Sequence, residues 1–589
     1  MEVSELFDIC RTLAEGQPSA AALQQMHELL VLTCAYGGRQ QGGAFGNLFS
    51  QVDWLCKHHG IGYEDMLAIQ TARRHSSHPP KTSNIKHQTS NFKLQPSDFL
   101  YDLRAVSIFI SAVFGVSVPG ELRCLLPSVP QPRQKGLRIN REHIRVVVRS
   151  FDAQLIVADS DDGELTIDYA TTEQGRDFGY LRKVLREGMQ LNLLDCHMDA
   201  DRVTPGQIIV EPDFLIDISS LAACFTSYGH HPLLYTVNRL KPQANTQAIL
   251  LGHFAGAALD DIISQPDANM ERTLQRARQE HALRFASCEN LDMEHFRQDA
   301  ERQMQNIRQA VGVLKDTLSD KALLEPSFVC ERLGLQGRVD LMTTDMSLLV
   351  EQKAGKNMKI EYQSHDAHGL QREDHYVQLL LYYGVLRYNF GKSDRQVDTR
   401  LLYSRYPADR GLLTVNYYRA LLREALKLRN QIVATEFLIA RDGFGRILPL
   451  LNSDVIYKGI ARDAFFHRYI EPDLHLLNSH LSSLTSIERA YFERMMTFVY
   501  REQLCGKLSV EEGHGSSTAD LWQMPLAEKL ETGSIFTDRT ITSRDRSQPY
   551  GGYDLITLTF GSDQVYSRQS NFRQGDMVYL YSYRQQPDV

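Results

Sequence analysis

The chain has 589 residues, of which 43% are hydrophobic and 23% charged, and its formal net charge is −8. Such a length exceeds a single hydrophobic core and implies roughly three or four domains. The composition is that of a soluble globular protein, and the negative total excludes a protein coated in basic surface while remaining compatible with a local basic groove.

No secretory signal is expected, because the first ten residues carry acids and no uninterrupted apolar core. Residues 1–75 read as helical; within them, 20–34 place leucines and Met26 at helical spacing. Residues 76–95, with Pro79 and Pro80 among many Ser, Thr, Asn and His residues, read as a linker. Helical character returns over 96–130. Its most apolar window, 107–120, is shorter than the roughly 18 residues a membrane span needs. It reads as a buried helix, and no membrane association is expected.

From residue 131 the period changes. Residues 144–148, 154–158, 164–169, 189–194 and 207–210 have strand character, with Asp161-Asp162-Gly163 as a turn, so 131–212 is read as a small β-barrel of OB type. In this region Arg133, Lys135, Arg138, Arg141, Arg145 and Arg149 face one acid, Glu142. That stretch is either a solvated loop entering a strand or a nucleic-acid contact. Residues 213–510 are mixed α/β, with helices over 245–264, 294–318, 375–387, 417–434 and 487–504 and strands over 327–332, 337–343 and 347–351. From 511 the character is β-rich again, clearest at 553–560 and 576–583. The nine cysteines are scattered without a C-x-x-C pair. Neither a disulfide framework nor a zinc ribbon is suggested, and a reducing, cytoplasmic setting fits.

Residues 331–356, ERLGLQGRVDLMTTDMSLLVEQKAGK, carry the chemistry. Gly334 and Gly337 bracket a turn, and Asp340 is expected on the strand that leaves it. After a tight turn at 343–346, a second apolar strand ends in Glu351-Gln352-Lys353. Alternation along a strand sends Glu351 and Lys353 to one face, and a hairpin sets Asp340 opposite Glu351. Two carboxylates that close repel unless a cation lies between them, and Mg²⁺ or Mn²⁺ accepts such oxygen ligands while keeping several waters. An acid two residues before a lysine is also a common exposed ion pair. The order G-L-x-G-R-x-D, gap, E-x-K sets this case apart. Downstream, Gln378 and Tyr382 are four apart and share one helix face; alone, they read equally as residues at the edge of a core.

This series resembles the RecB-like branch of the PD-(D/E)XK nucleases, most closely the nuclease part of the replication-type ATP-dependent helicase/nuclease family. Val210-Glu211-Pro212-Asp213-Phe214-Leu215-Ile216 and the following Asp217 to Cys224 are similar to the segment that leads from a barrel into that nuclease. The resemblance covers roughly residues 189–504. It implies an α/β, restriction-endonuclease-like core over 213–510, flanked by a helical N-terminal region and small β-barrels. The residues around Asn571 to Val578 resemble the barrel that precedes the motor in such proteins. The resemblance also implies Asp340, Glu351 and the Gln352 carbonyl as ligands of Mg²⁺ or Mn²⁺, Lys353 as the catalytic lysine, and Gln378, Tyr382 and Arg338 as DNA contacts. DNA, single-stranded or flapped, is the implied partner, and a helicase motor on a separate or continuing chain is a second.

Three departures from the family stand out. Gly256 occupies the place of the family's metal-binding His; His253 and Asp260, one turn to either side, are the alternative ligands, and a plain packed helix is the competing reading. Beyond Tyr382 only Cys505 remains to join Cys224, so no iron–sulfur cluster is expected and Cys224 reads as a buried thiol. Gly391-Lys392-Ser393 follows a helix and has Leu386 where a phosphate loop needs its first glycine, so no ATP site is expected. A catalytically degenerate nuclease fold that serves a helicase partner is the alternative function. No Ser/His/Asp triad, H-E-x-x-H or dinucleotide fingerprint competes; Arg441 to Gly445 reads as a turn.

Overall fold

The computed structural model describes residues 3–38, 44–45, 47–77, 96–131, 139–170, 177–242, 245–265, 267–319, 321–357, 370–508, 517–545, 555–559, 572–576, 578 and 580. Most of the expected linker, the basic residues Arg133, Lys135 and Arg138, and most of the strand read at 576–583 lie outside them. The chain divides into two compact units, each threaded by three segments. Met1–Arg138, Ala244–Ser319 and Val339–Leu421 form the first; Ile139–Gln243, Asp320–Arg338 and Leu422–Val589 form the second. The span 213–510 contributes to both.

In the first unit, helices Val3–Glu15, Ala20–Gly37, Leu48–His58, Tyr63–Ser77, Pro96–Phe114 and Gly120–Leu125 enclose a core that includes Leu6, Met26, Leu55, Phe99 and Phe109. The apolar window at 107–120 is only half helical, because the helix stops at Phe114 and Gly115 turns the chain at φ +68°. A sheet of the same unit runs in the order Ala44–Phe45, Leu412–Thr414, Asp398–Tyr403, Leu348–Lys353, Leu341–Thr343. Its acidic strand, Leu348–Lys353, is parallel to Asp398–Tyr403 and antiparallel to Leu341–Thr343. Leu348, Leu349 and Val350 are fully buried, the continuous apolar run of a strand covered on both faces. Helix Glu373–Phe390 is buried nearly all round, from Tyr376 to Leu386 without a break. Helix Gln247–Ser264 packs on Met293–Val313, with the Phe254 and Phe296 rings edge to face at 6.4 Å.

The second unit contains a closed five-stranded barrel. Arg141–Phe151, Leu155–Ser160, Gly163–Asp168, Arg202–Thr204 and Gln190–Asp199 pair in that order, and Gln190–Asp199 returns to Arg141–Phe151. Gln207–Val210 adds to the Gln190–Asp199 strand. Ile144, Val146, Val148, Ile156, Ala158, Ile167, Leu191 and Leu193 alternate inward to fill it. The three-residue strand Arg202–Thr204, too short to read from the sequence, makes the parallel pairing that closes the ring. Arg429, on helix Arg419–Asp442, is fully buried and donates to the carbonyls of Val210, Glu211, Phe214 and Gly334. Its neighbour Asn430 donates to Ile208 O at 2.7 Å and accepts from Val210 N at 3.0 Å. Together they clamp the barrel's exit.

The C-terminal strands observed are Thr540–Asp545 and Leu555–Thr559, an antiparallel pair. All nine cysteines are free thiols, and Cys224 is fully buried. Gly391 caps the C-terminus of Glu373–Phe390 at φ +65°, so Gly391-Lys392-Ser393 ends a helix. Among the described residues no helix is long and apolar enough to cross a membrane.

Candidate active site

The strand expected over 337–343 is two strands, and this corrects the placement of Asp340. Leu335–Arg338 pairs with Ser327–Cys330 and Ile216–Asp217, whereas Leu341–Thr343 pairs with Leu348–Lys353 in a different sheet. Asp340 belongs to neither strand and sits in a bend of the chain just before Leu341. The turn that follows is fixed by Thr343, whose hydroxyl accepts from Ser347 N at 3.1 Å and Leu348 N at 3.0 Å, with Met346 at φ +59°. This turn sets Leu341 opposite Val350 and Met342 opposite Leu349, so Asp340 comes beside Glu351. A slip of one residue would send Glu351 to the other face.

Asp340 Oδ2 accepts the peptide N–H of Gln352 at 2.6 Å. Glu351 Oε1 accepts from Lys353 Nζ at 2.9 Å and from Gln378 Nε2 at 2.7 Å, while Lys353 Nζ also donates to Gln378 Oε1 at 2.8 Å. A closed triangle of acid, ammonium and amide results. Glu351 is 3% exposed, and its second oxygen, Oε2, is buried with no hydrogen-bond partner. Burial, reinforced by the Asp340 carboxylate and opposed by Lys353, pushes the Glu351 carboxyl up to about 8. Burial works against the charge on Lys353, but Glu351, Asp340 and Asp374 outweigh it and hold the ammonium above its ordinary value.

An orphaned buried carboxylate oxygen beside a second carboxylate fits a hard divalent cation. Asp340, Glu351 and the Gln352 peptide oxygen are the residues that would hold it. Among the described residues no group of three or more His, Cys, Asp and Glu side chains is placed to bind a metal. Mg²⁺ is commonly bound through one or two carboxylates, with water and substrate phosphate completing its shell.

The end of the acidic strand is anchored from below. Ser404 N donates to Lys353 O at 3.0 Å, and its hydroxyl donates to Gln303 Oε1 at 2.7 Å. Gln303 Nε2 donates to Ala354 O at 3.1 Å, and Asn306 Nδ2 to Ser404 O at 3.0 Å. Gln352 extends to the opposite side, where its Nε2 donates to Ala255 O at 3.1 Å on helix Gln247–Ser264.

The remaining expected residues are placed variously. Next to Ala255, Gly256 has open space around it: a Cβ built there meets nothing within 4 Å. His253 accepts from Arg284 at 2.9 Å through Nε2 and stacks on His281 at 3.9 Å. With the acid pair, His253 and Asp260 do not complete a three-ligand group. Tyr382 is 2% exposed, inside the unit. Arg338, exposed, pairs with Glu325 at 3.0 Å. In the barrel, Arg141 pairs with Asp162, Arg145 with Asp213, and Arg149 with Asp159 at 2.7 Å and Glu164 at 2.7 Å. The described part of the basic stretch is thus neutralised by acids distant in sequence.

Two residues near Lys353 escaped the sequence reading. His375 Nδ1 lies 2.9 Å from the Tyr403 hydroxyl, which also accepts from Arg372 N at 3.0 Å. Burial, with help from Lys353 and Arg372 and against Asp374, pushes His375 down to about 3, so its imidazole is neutral. His375 stands three residues before Gln378, on one helix face with it, and that spacing was the available signal. Comparison with models of known protein families and with curated proteins finds no match.

Proposed function

We propose that this chain is a divalent-cation-dependent deoxyribonuclease that hydrolyses phosphodiester bonds in single-stranded or flapped DNA during replication, repair or recombination. The observation that carries the reading is Glu351 Oε2, buried and unpartnered beside Asp340 while Oε1 is held by Lys353 and Gln378. An unsatisfied buried polar group costs about 1–3 kcal/mol. A cation shared with Asp340 relieves that cost and the repulsion between the two acids together.

A bound Mg²⁺ or Mn²⁺ supplies Lewis acidity at the scissile phosphate. Asp340 is oriented by the Gln352 peptide, and Glu351 by Gln378 and Lys353, so both oxygens of the pair are held before substrate arrives. Lys353 spends two of its three N–H bonds on Glu351 and Gln378. The third is left to orient the attacking water or to meet charge that builds on a phosphate oxygen. Gln378 acts in this scheme by aiming the ammonium, and buried Tyr382 by seating the helix that carries it. Arg338, on the surface, is the DNA contact. The motor of such a system would come from a separate or continuing chain.

The second reading, a catalytically silent nuclease fold that serves DNA binding or assembly with a helicase, is favoured by Gly256. The purified 589-residue chain with Mn²⁺ and single-stranded DNA separates the two. The nuclease cuts, and Glu351→Ala or Lys353→Ala abolishes cutting while DNA is still bound. If wild type and both variants bind alike and none cuts, the silent fold is the correct one.

A further inference from the structure

Arg284 is held differently from the arginines of the barrel. Its NH1 lies 2.9 Å from His253 Nε2, and among the described residues no carboxylate pairs with it. A guanidinium can only donate, so His253 Nε2 accepts and the ring proton sits on Nδ1. His281 stacks on His253 with ring centroids 3.9 Å apart and planes 28° apart. Besides burial, the groups that act on His253 are the two cationic types, His281 and Arg284, with no acid among them. Most of the arginine's donors are therefore unspent, its charge is not cancelled, and one imidazole, itself stacked on a second, orients it. Guanidinium held in this way suits a planar fork of phosphate oxygens. Arg284 belongs to the short helix Ala282–Ala286; of the three residues only His253 lies on helix Gln247–Ser264, whose Ala255 O accepts from Gln352 of the acidic strand. One turn along that helix, Gly256 keeps the surface open.

We infer that Arg284, held by His253, on which His281 stacks, is a binding site for a backbone phosphodiester of a single DNA strand. This deepens the nuclease reading and rests on it for the identity of the ligand. The clamp reads no base; it holds the strand by its phosphate, which makes its contribution salt-dependent.

The test uses the 589-residue chain, fluorescent oligothymidylate and Ca²⁺ in place of Mn²⁺, with binding followed by anisotropy across a salt series. Arg284→Ala is expected to weaken binding about 5- to 10-fold, the scale of one exposed charge-assisted contact, and to flatten the log K against log salt slope by about 0.7. In Mn²⁺ the loss falls on KM. Arg284→Lys retains the slope, because the charge remains. Arg278, exposed on the preceding helix, is the control. If Arg278→Ala weakens binding equally, the effect is diffuse charge and the clamp is wrong. If Arg284→Ala binds like wild type, the clamp is wrong whether or not the chain cuts. Should inorganic phosphate shift the His253 and His281 ring resonances while Arg284→Ala leaves oligothymidylate binding intact, the cluster is a free-anion site and the strand clamp is overturned. If wild type cuts nothing yet Arg284→Ala loses binding, the nuclease reading falls and the clamp stands.

Discussion

Gln378 touches both Glu351 and Lys353: its Nε2 donates to Glu351 Oε1 at 2.7 Å, and its Oε1 accepts from Lys353 Nζ at 2.8 Å. One amide thus fixes a carboxylate and an ammonium from a neighbouring helix. Gln378→Ala frees both and is expected to lower DNA cleavage about 10- to 100-fold, the range for outer partners of a metal site. Gln378→Glu puts a third acid there and is expected to be worse. Initial rates on labelled single-stranded DNA, with Mn²⁺ affinity measured in parallel, check this; unchanged rates in Gln378→Ala would remove the amide from the mechanism.

The raised Glu351 carboxyl makes two pH effects. Its ordinary value is 4.5 and its folded value is pushed up to about 8. Between those limits the folded chain holds a proton that the unfolded chain has released, so metal-free stability falls as pH rises from about 4.5 to 8. Glu351→Gln lacks that proton and is expected to raise the metal-free Tm more at pH 8 than at pH 5. Metal must displace the same proton, so Mn²⁺ affinity is expected to tighten about tenfold per pH unit as pH 8 is approached from below. Calorimetry in buffers of different ionisation enthalpy reads the released proton directly. A pH-independent affinity would contradict the shift.

Gly256 offers a constructive test. A side chain added there meets nothing within 4 Å, and replacing a helical glycine recovers part of the roughly 0.5–1 kcal/mol that glycine costs a helix interior. Gly256→His is therefore expected to leave the Tm unchanged or higher, and to shift the Mn²⁺ dependence of cleavage to lower concentration. A variant that folds but needs the same Mn²⁺ would show that this helix face does not look onto the metal.

Gly334 is required for a different reason. It turns at φ +64°, and a Cβ there collides with the Arg429 guanidinium. Gly334→Ala combines backbone strain with displacement of a buried cation, and a loss of about 3 kcal/mol or more in denaturant unfolding is expected. Arg429→Ala takes one donor away from each of four carbonyls and should cost a similar amount, while Arg429→Lys recovers little because one ammonium cannot span them.

Local pattern made part of this legible. The alternation of Glu351 and Lys353 and the hairpin turn are short-range features and stand in the fold as the sequence implies; the bonds from Gln378 to both residues were not legible, because the sequence gives it only a helix face shared with Tyr382. Asp340 was placed correctly opposite Glu351 but wrongly inside a strand, because apolar alternation continues through a bend that only pairing partners reveal. Arg202–Thr204 was missed for lack of length. The pairing of barrel arginines with acids, and of Arg284 with His253, depends on side chains that no periodicity joins. The two interleaved units were equally hidden: Asn416 bonds Ser50 across 366 residues of sequence.

The clamp made by Arg429 also has a bearing on the order in which the chain can mature. The carbonyls it binds at Val210 and Glu211 leave the ribosome 219 and 218 residues earlier. During synthesis the barrel's exit strand must therefore wait, incompletely tied, until the long helix that carries the arginine has emerged. A ribosome stalled before that helix is expected to display a protease-sensitive barrel, and one stalled well after it a resistant one.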